Sequence, residues 1–338
     1  MKRNRMSAWR LLGIAASLFL LFAVPASAVE RLVVYSGRAE SLIGPALEQF
    51  TEATGIQVAV RYGGTTELAA AILEEGRNSP ADVFISQDAG ALGALEKAGR
   101  LARLPQELLD KVDERLRSAG GRWVAVSGRA RVVAYSTVRI REEELPETVW
   151  GFTDSKWRGR IGWPPTNASF QAFVTALRVL EGDERAEAWL RGILANNPRV
   201  YPNNAAIVEA ISRGEIDVGF VNHYYLYRFL AEQGDAFPVR NYHTRGDAGA
   251  IINVAGVAIL ETSQKKEAAQ RLVEWLLSEE AQRYFATETY EYPVILDAGI
   301  PVDPRLVPLE AIETPGLDLS DLDDLEGTLQ MLQRVGVL

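Results

Sequence analysis

Cysteine is absent from the 338 residues. That excludes disulfides, thiolate metal sites, iron–sulfur clusters, cysteine nucleophiles and the lipidated cysteine of a bacterial lipoprotein. Histidine is nearly as scarce, with only His223 and His243, which leaves little room for histidine-based zinc or triad chemistry. Gly63-Gly64 lacks the lysine of a phosphate-binding loop, and neither G-x-S-x-G nor H-E-x-x-H occurs. An exported hydrolase would need a nucleophile beside a positioned base. Neither histidine lies near a candidate serine motif, so the chain is expected not to be an enzyme.

What is present is a foldable composition, 47% apolar and 24% charged, in a length that suits two domains rather than one core. The first residues stand apart. Lys2, Arg3, Arg5 and Arg10 precede the apolar run Leu11 to Val24, and Pro25-Ala26-Ser27-Ala28 ends it with small residues. This is the layout of a secretory signal peptide over 1–28, cleaved after Ala28. A membrane anchor is the alternative, but the run is shorter than the roughly 20 residues of a spanning helix. The leader holds four of the 36 basic residues and no acidic one, leaving 32 against 45 and a formal charge of −13. An acidic exported chain is a poor partner for nucleic acid or anionic membranes.

From Arg31 the pattern alternates strand and helix. RLVVY (31–35) is a strand, a helix follows over 41–53, IQVAVR (56–61) is a strand, a helix covers 65–75, DVFI (82–85) is a strand, and 89–98 is a helix. The order implies an open parallel sheet with helices on both faces. Trp123 to Val126 and Arg131 to Tyr135 read as two strands separated by a Ser-Gly-Arg-Ala crossover. A second α/β run has strands at 160–163, 217–221 and 254–260. Its helices fall at 169–180, 184–194, 205–213, 224–232, 265–277 and 279–287, with a last amphipathic one near 325–335. Two α/β lobes without a flexible linker place a ligand in the cleft where strand carboxyl ends meet.

The segment richest in chemistry is Asn222-His223-Tyr224-Tyr225-Leu226-Tyr227, directly after a strand and at a helix start. Its tyrosines can be aromatic packing on an amphipathic helix. They can also be metal ligands. A bound trivalent cation displaces phenol protons, and hard iron(III) is the natural partner of paired phenolates. Neighbours on a helix point about 100° apart, so two adjacent tyrosines meet one ion only at a helix start or an irregular turn. His223 reads as a satisfied or surface histidine.

The chain resembles the periplasmic iron(III)-binding proteins of the bacterial ferric transporter family, a class of extracellular solute-binding proteins. VVYSGR (33–38), PADVF (80–84), SGRARVVAY (127–135), KWRGRIGW (156–163), N-x-Y-Y (222–225), GDAGA (246–250) and EYP (291–293) carry the resemblance over nearly the whole chain after the leader. It implies an α/β, two-lobed periplasmic binding protein fold: two doubly wound mixed sheets, a ligand cleft between them, and crossing hinge strands near 127–131 and 252–255. The lobes would be 29–129 with 254–304, and 130–253 with 305–338. It implies a monomer in the periplasm that captures iron(III) with a synergistic anion (carbonate, phosphate or citrate) and serves an inner-membrane permease and its ATPase.

Carried over by position, the iron ligands are Tyr224 and Tyr225, and the anion-contacting residues Asn222, Asn204 and Arg129. Arg38, in its turn at a strand end, is a further candidate to hold an anion. Asn167 and Ala168 form a helix start that can offer N–H groups. Asp88 is a possible extra oxygen ligand. The family's histidine is replaced by Ala39, its glutamate by Gln87, and a third tyrosine of some members by Phe170. These departures keep open a second reading, the same scaffold binding an organic anion or an iron chelate. The leader makes a direct forecast: the exported protein begins at Val29, and intact-mass measurement of periplasmic material that finds residues 1–28 retained overturns it.

Overall fold

The computed structural model describes residues 31–296 and 299–338; the expected signal peptide lies outside the described residues. The first run is β1 (Arg31–Ser36), α1 (Glu40–Thr54), β2 (Gln57–Tyr62), α2 (Thr65–Glu75), β3 (Val83–Ser86), α3 (Ala89–Lys97) and the short α4 (Gln106–Leu109). It is followed by β4 (Val124–Ser136), β5 (Ile161–Trp163), α5 (Ala168–Glu181), α6 (Asp183–Ala195), β6 (Arg199–Val200), α7 (Asn204–Ser212), β7 (Val218–Asn222) and α8 (Tyr224–Gln233). The chain closes with β8 (Val239–Tyr242), β9 (Ile252–Ile259), α9 (Lys266–Leu276), α10 (Glu279–Thr287) and α11 (Leu325–Val335).

Helix ends follow from local chemistry. Asp88, Asn167, Asn203 and Ser278 each accept a backbone N–H at the start of their helix, and Gly55 stops α1 at a φ of 75°. The strands order as β2-β1-β3-β9-β4-β7-β5-β6, with β8 also on β4. β1 pairs in parallel with β2 and β3, whereas β9 is antiparallel to both β3 and β4. In the second lobe β5 is parallel to β6 and β7, and β4 is antiparallel to β7 and β8.

The two sheets are joined by β4, and here the expectation of two strands with a crossover is corrected. Val124 to Ser136 is one continuous strand, buried at all thirteen positions. Its first part, to Ala130, pairs with β9, and from Arg131 it pairs with β7. Gly128, which reads as a turn residue, instead lets Tyr292 approach: a Cβ there would lie 3.3 Å from that of Tyr292. The crossing of the lobes is therefore a strand that changes partners, with a register shift between Ala125 and Ser127. The edge pieces β6 and β8 lie outside the expected elements.

The C-terminal segment touches both lobes. Leu306 and Ile312 pack in the cluster under α7 and α8. Leu322 and Asp323 then lie against Gly90 and Gly93 of α3, and α11 returns to α5 through a 2.7 Å contact between Thr175 and Thr328 and a 2.9 Å ion pair between Arg178 and Asp324. Gly219 of β7 is held under similar constraint, since a Cβ there would sit 2.2 Å from Ile207 Cγ2 and 3.3 Å from the Gly162 carbonyl. Gly219→Ala is expected to lower stability by about 1–3 kcal/mol through overpacking; an unchanged thermal melt would contradict that close approach.

Candidate metal and anion site in the interlobe cleft

β7 ends at Asn222 and α8 begins two residues later, with no side-chain cap at its start. Tyr224 and Tyr225 are thus the first two helical residues, at the one place where neighbours can converge. Their ring centroids lie 4.4 Å apart at 30°. Tyr224 is fully buried and its hydroxyl has no hydrogen-bond partner among the described residues. Tyr225 lines the cleft, and burial first, then Tyr224, pushes its phenol well above the usual value, with Arg38 and Arg129 pulling the other way.

Beneath the pair lie three buried guanidinium groups. Arg129 is wholly buried, and neither terminal nitrogen has a hydrogen-bond partner among the described residues. Burial lowers its pKa, and the neighbouring Arg38 adds to this against the pull of Tyr224 and Asp88. Arg131, not among the site residues expected from the sequence, donates to the Phe220 carbonyl at 2.9 Å and to Asn222 Oδ1 at 3.4 Å. Its guanidinium carbon lies 5.3 Å from the Phe173 ring centre. Burial, then repulsion from Arg129, brings Arg131 down to about 9. Arg38 lines the cleft, yet both its Nη atoms go to Glu291, at 2.8 and 2.5 Å. Burial pushes the Glu291 carboxyl up. Arg38, by charge and hydrogen bond, with Thr289 and Ser127, outweighs that and holds it low.

The amides converge from the other side. Asn204, fully buried, donates to Asn167 Oδ1 at 3.3 Å and to Ser169 Oγ at 3.4 Å, while its own Oδ1 lacks a partner. Asn222 likewise keeps an unpartnered Nδ2. Gln87 stands between the lobes: its Nε2 lies 3.5 Å from the Tyr225 hydroxyl and its Oε1 accepts from Asn167 at 3.5 Å. Asp88 is buried beside it, one oxygen capping α3 and the other unpartnered; burial raises it to about 6 despite Arg129. Ala168 lies at the cleft wall in the first turn of α5, whereas Phe170 is buried away from it against Trp163 and Phe173.

Ala39 also lines the cleft, whose volume is about 640 Å³. Two further contacts bridge it, Thr66 to Gln171 at 2.6 Å and Arg228 to Ser41 at 3.4 Å. The lobes therefore stand closed on one another. His223 is buried and satisfied, and burial lowers it to about 4. Glu291 and Arg131 are the residues that sequence reasoning missed. Arg131 had a signal in the alternation Ser127, Arg129, Arg131, which puts all three on one face of β4. Glu291 had none beyond the EYP match.

Closed α/β lobes around a buried polar cleft define the class of two-lobed solute-binding proteins. The chain matches the bacterial extracellular solute-binding protein family over residues 78–320, and it belongs to that family. It is 34% identical over 318 residues to the major ferric iron-binding protein of Neisseria meningitidis, covering 92% of this chain and 94% of the relative. Among solved structures it is similar to iron-bound HitA from Pseudomonas aeruginosa, with a TM-score of 0.86 and 35% identity over 91% of this chain and 99% of that one. It is also similar to a Trichodesmium protein in complex with iron and citrate ligands, with a TM-score of 0.75 and 30% identity over 90% and 99% of the two chains. Like these relatives it is a solute-binding transport protein, not an enzyme. No described helix is long and apolar enough to cross a membrane.

Glu291→Ala would leave Arg38 buried without its counter-ion. Stability is expected to fall by about 3–5 kcal/mol, read by denaturant titration, with Glu291→Gln costing less. A loss below 1 kcal/mol would show that water or another group takes over the pairing.

Proposed function

We propose that this protein captures iron(III) on Tyr224 and Tyr225 together with a synergistic anion, closes its lobes, and presents the cargo to an inner-membrane permease driven by an ATPase. It works as a periplasmic monomer after removal of residues 1–28. The lobes are 29–129 with 254–304 and 130–253 with 305–338, the C-terminal segment leaning on both. The carrying observation is the close, tilted tyrosine pair at the start of α8 near Arg129, a buried guanidinium whose terminal nitrogens lack partners.

Charge supports the anion. Three buried arginines face the two buried carboxylates Asp88 and Glu291. Iron(III) with two phenolates adds one further positive charge, so an anion of two charges leaves the site neutral. Carbonate and hydrogen phosphate supply that charge, and citrate supplies it with two of its three carboxylates. Arg129 and the free Nδ2 of Asn222 are its anchors, with the Ala168 N–H beside them, while Asn204 holds Asn167 and Ser169 in place through its own Nδ2. Arg38 contributes charge from behind its bond to Glu291.

A cleft of about 640 Å³, with neutral Gln87 where the family's glutamate stands, also favours a second reading. The anion and iron would then arrive together as a hydroxycarboxylate chelate.

Titrating the protein with iron(III) and carbonate or citrate is expected to raise a visible phenolate-to-iron charge-transfer band that saturates at one iron. Tyr224→Phe and Tyr225→Phe should abolish it. About two protons should leave per iron, because each ligating phenol gives one up, so affinity rises with pH. No band from folded protein with iron in excess sinks the ferric reading. Gln87→Glu would place a carboxylate beside Tyr225, tightening iron binding and weakening its dependence on added anion; unchanged anion dependence would show that Gln87 lies outside the coordination sphere.

A further inference from the structure

β4 changes partners between Ala130, the last residue opposite β9, and Arg131, the first opposite β7. At that step Ala130 finds its bonds in a single residue of another element. Its N–H donates to Nδ1 of His223 at 3.0 Å, and its carbonyl accepts from the His223 backbone N–H at 3.1 Å. One histidine stands in for a strand partner where pairing passes from one lobe to the other. Ala130 is fully buried, so its N–H cannot turn to water instead.

The other edge of the ring is equally committed. Nδ1 accepts, so the proton of the neutral ring sits on Nε2, which donates to the Tyr290 carbonyl at 2.8 Å. Tyr290 is held in the left-handed region at φ 58°, a conformation that a bulky residue keeps only when its surroundings enforce it. The next residue, Glu291, grips Arg38. The one after, Tyr292, exchanges backbone bonds with Gly128 at 2.7 and 2.9 Å and stacks on the imidazole at 4.8 Å. His223 also meets the Tyr224 ring edge-on at 5.6 Å. Two stretches that link the lobes, β4 and 290–292, are therefore pinned to the residue that immediately precedes the tyrosine pair.

We propose that His223 is a positioning residue that couples lobe closure to the geometry of Tyr224 and Tyr225. It has an acceptor on one edge of a flat ring, a donor on the other, and a face for stacking. Asparagine, glutamine and phenylalanine each supply only part of that set. Movement at the hinge is passed through Ala130 and Tyr290 to the start of α8, so the phenols take up their liganding arrangement when the lobes close. This inference rests on the ferric reading above.

The test compares His223→Asn, which keeps an acceptor towards Ala130 and loses the bond to Tyr290, with His223→Phe, which keeps the ring and loses both. Iron(III) with carbonate is the probe. Affinity is expected to fall about tenfold or more, as for other groups that orient metal ligands, with a displaced charge-transfer band and a smaller iron-induced compaction by X-ray scattering. A role in packing alone would lower the melting temperature of the iron-free protein and leave band and compaction at wild-type values, and that result overturns the proposal. If the phenylalanine variant does not fold, the asparagine variant decides. Wild-type protein without a band removes the ferric reading and this inference with it. A wild-type band that the variants reproduce at full affinity removes this inference alone.

Discussion

A positive charge sits at the centre of this molecule with nothing bonded to its terminal nitrogens. Taking a guanidinium out of water costs several kcal/mol unless a counter-charge compensates it, and Arg129 lies on a strand buried along its whole length. Its neighbours share the buried setting. Burial, then repulsion from Arg129, brings Arg131 down to about 9, and burial holds Asp88 up to about 6 against the pull of Arg129. Arg38 is matched by Glu291, which leaves Arg129 as the group whose field is unspent. A phenolate or a small anion that arrives here gains both a hydrogen-bond partner and a low-dielectric attraction.

Closure completes the same electrostatic design. Gln87 spans from the first lobe to Tyr225 and Asn167 of the second, and the Thr66–Gln171 and Arg228–Ser41 contacts flank it. These are neutral or single charge-assisted bonds of modest net worth, so they bias the closed form without locking it. On the proposed function, a bound ion would shift the balance by the contacts that only the closed form makes. The design separates two tasks: buried arginines set the demand for negative charge, and rim contacts set how readily the cleft reopens.

Local pattern made most elements legible in the sequence. The second helix, over 65–75, and the last, over 325–335, have the bounds their periodicity predicts, and the tyrosine motif lies at the helix start expected for it. What was hidden depends on long-range pairing. Gly128 looks like a turn until Tyr292 is laid against it, and β4 looks like two strands because its polar residues interrupt the apolar run. Glu291 is one acid among many until it meets Arg38, 253 positions away in the chain. His223 is conspicuous only by rarity, and its two bonds run to backbone atoms that no side-chain pattern records.

The strand order also bears on how the chain becomes a protein. β9, at residues 252–259, lies between β3 and β4, so the first sheet stays unfinished until more than two hundred residues have followed β1. During that interval β3 presents an open edge of three apolar residues and a serine, Val83 to Ser86, the kind of edge that invites pairing with another chain. β7 and β8 can form their own ladder meanwhile on β4. The strand that finishes the first sheet and the Glu291 that pairs with Arg38 both come from the last third of the chain.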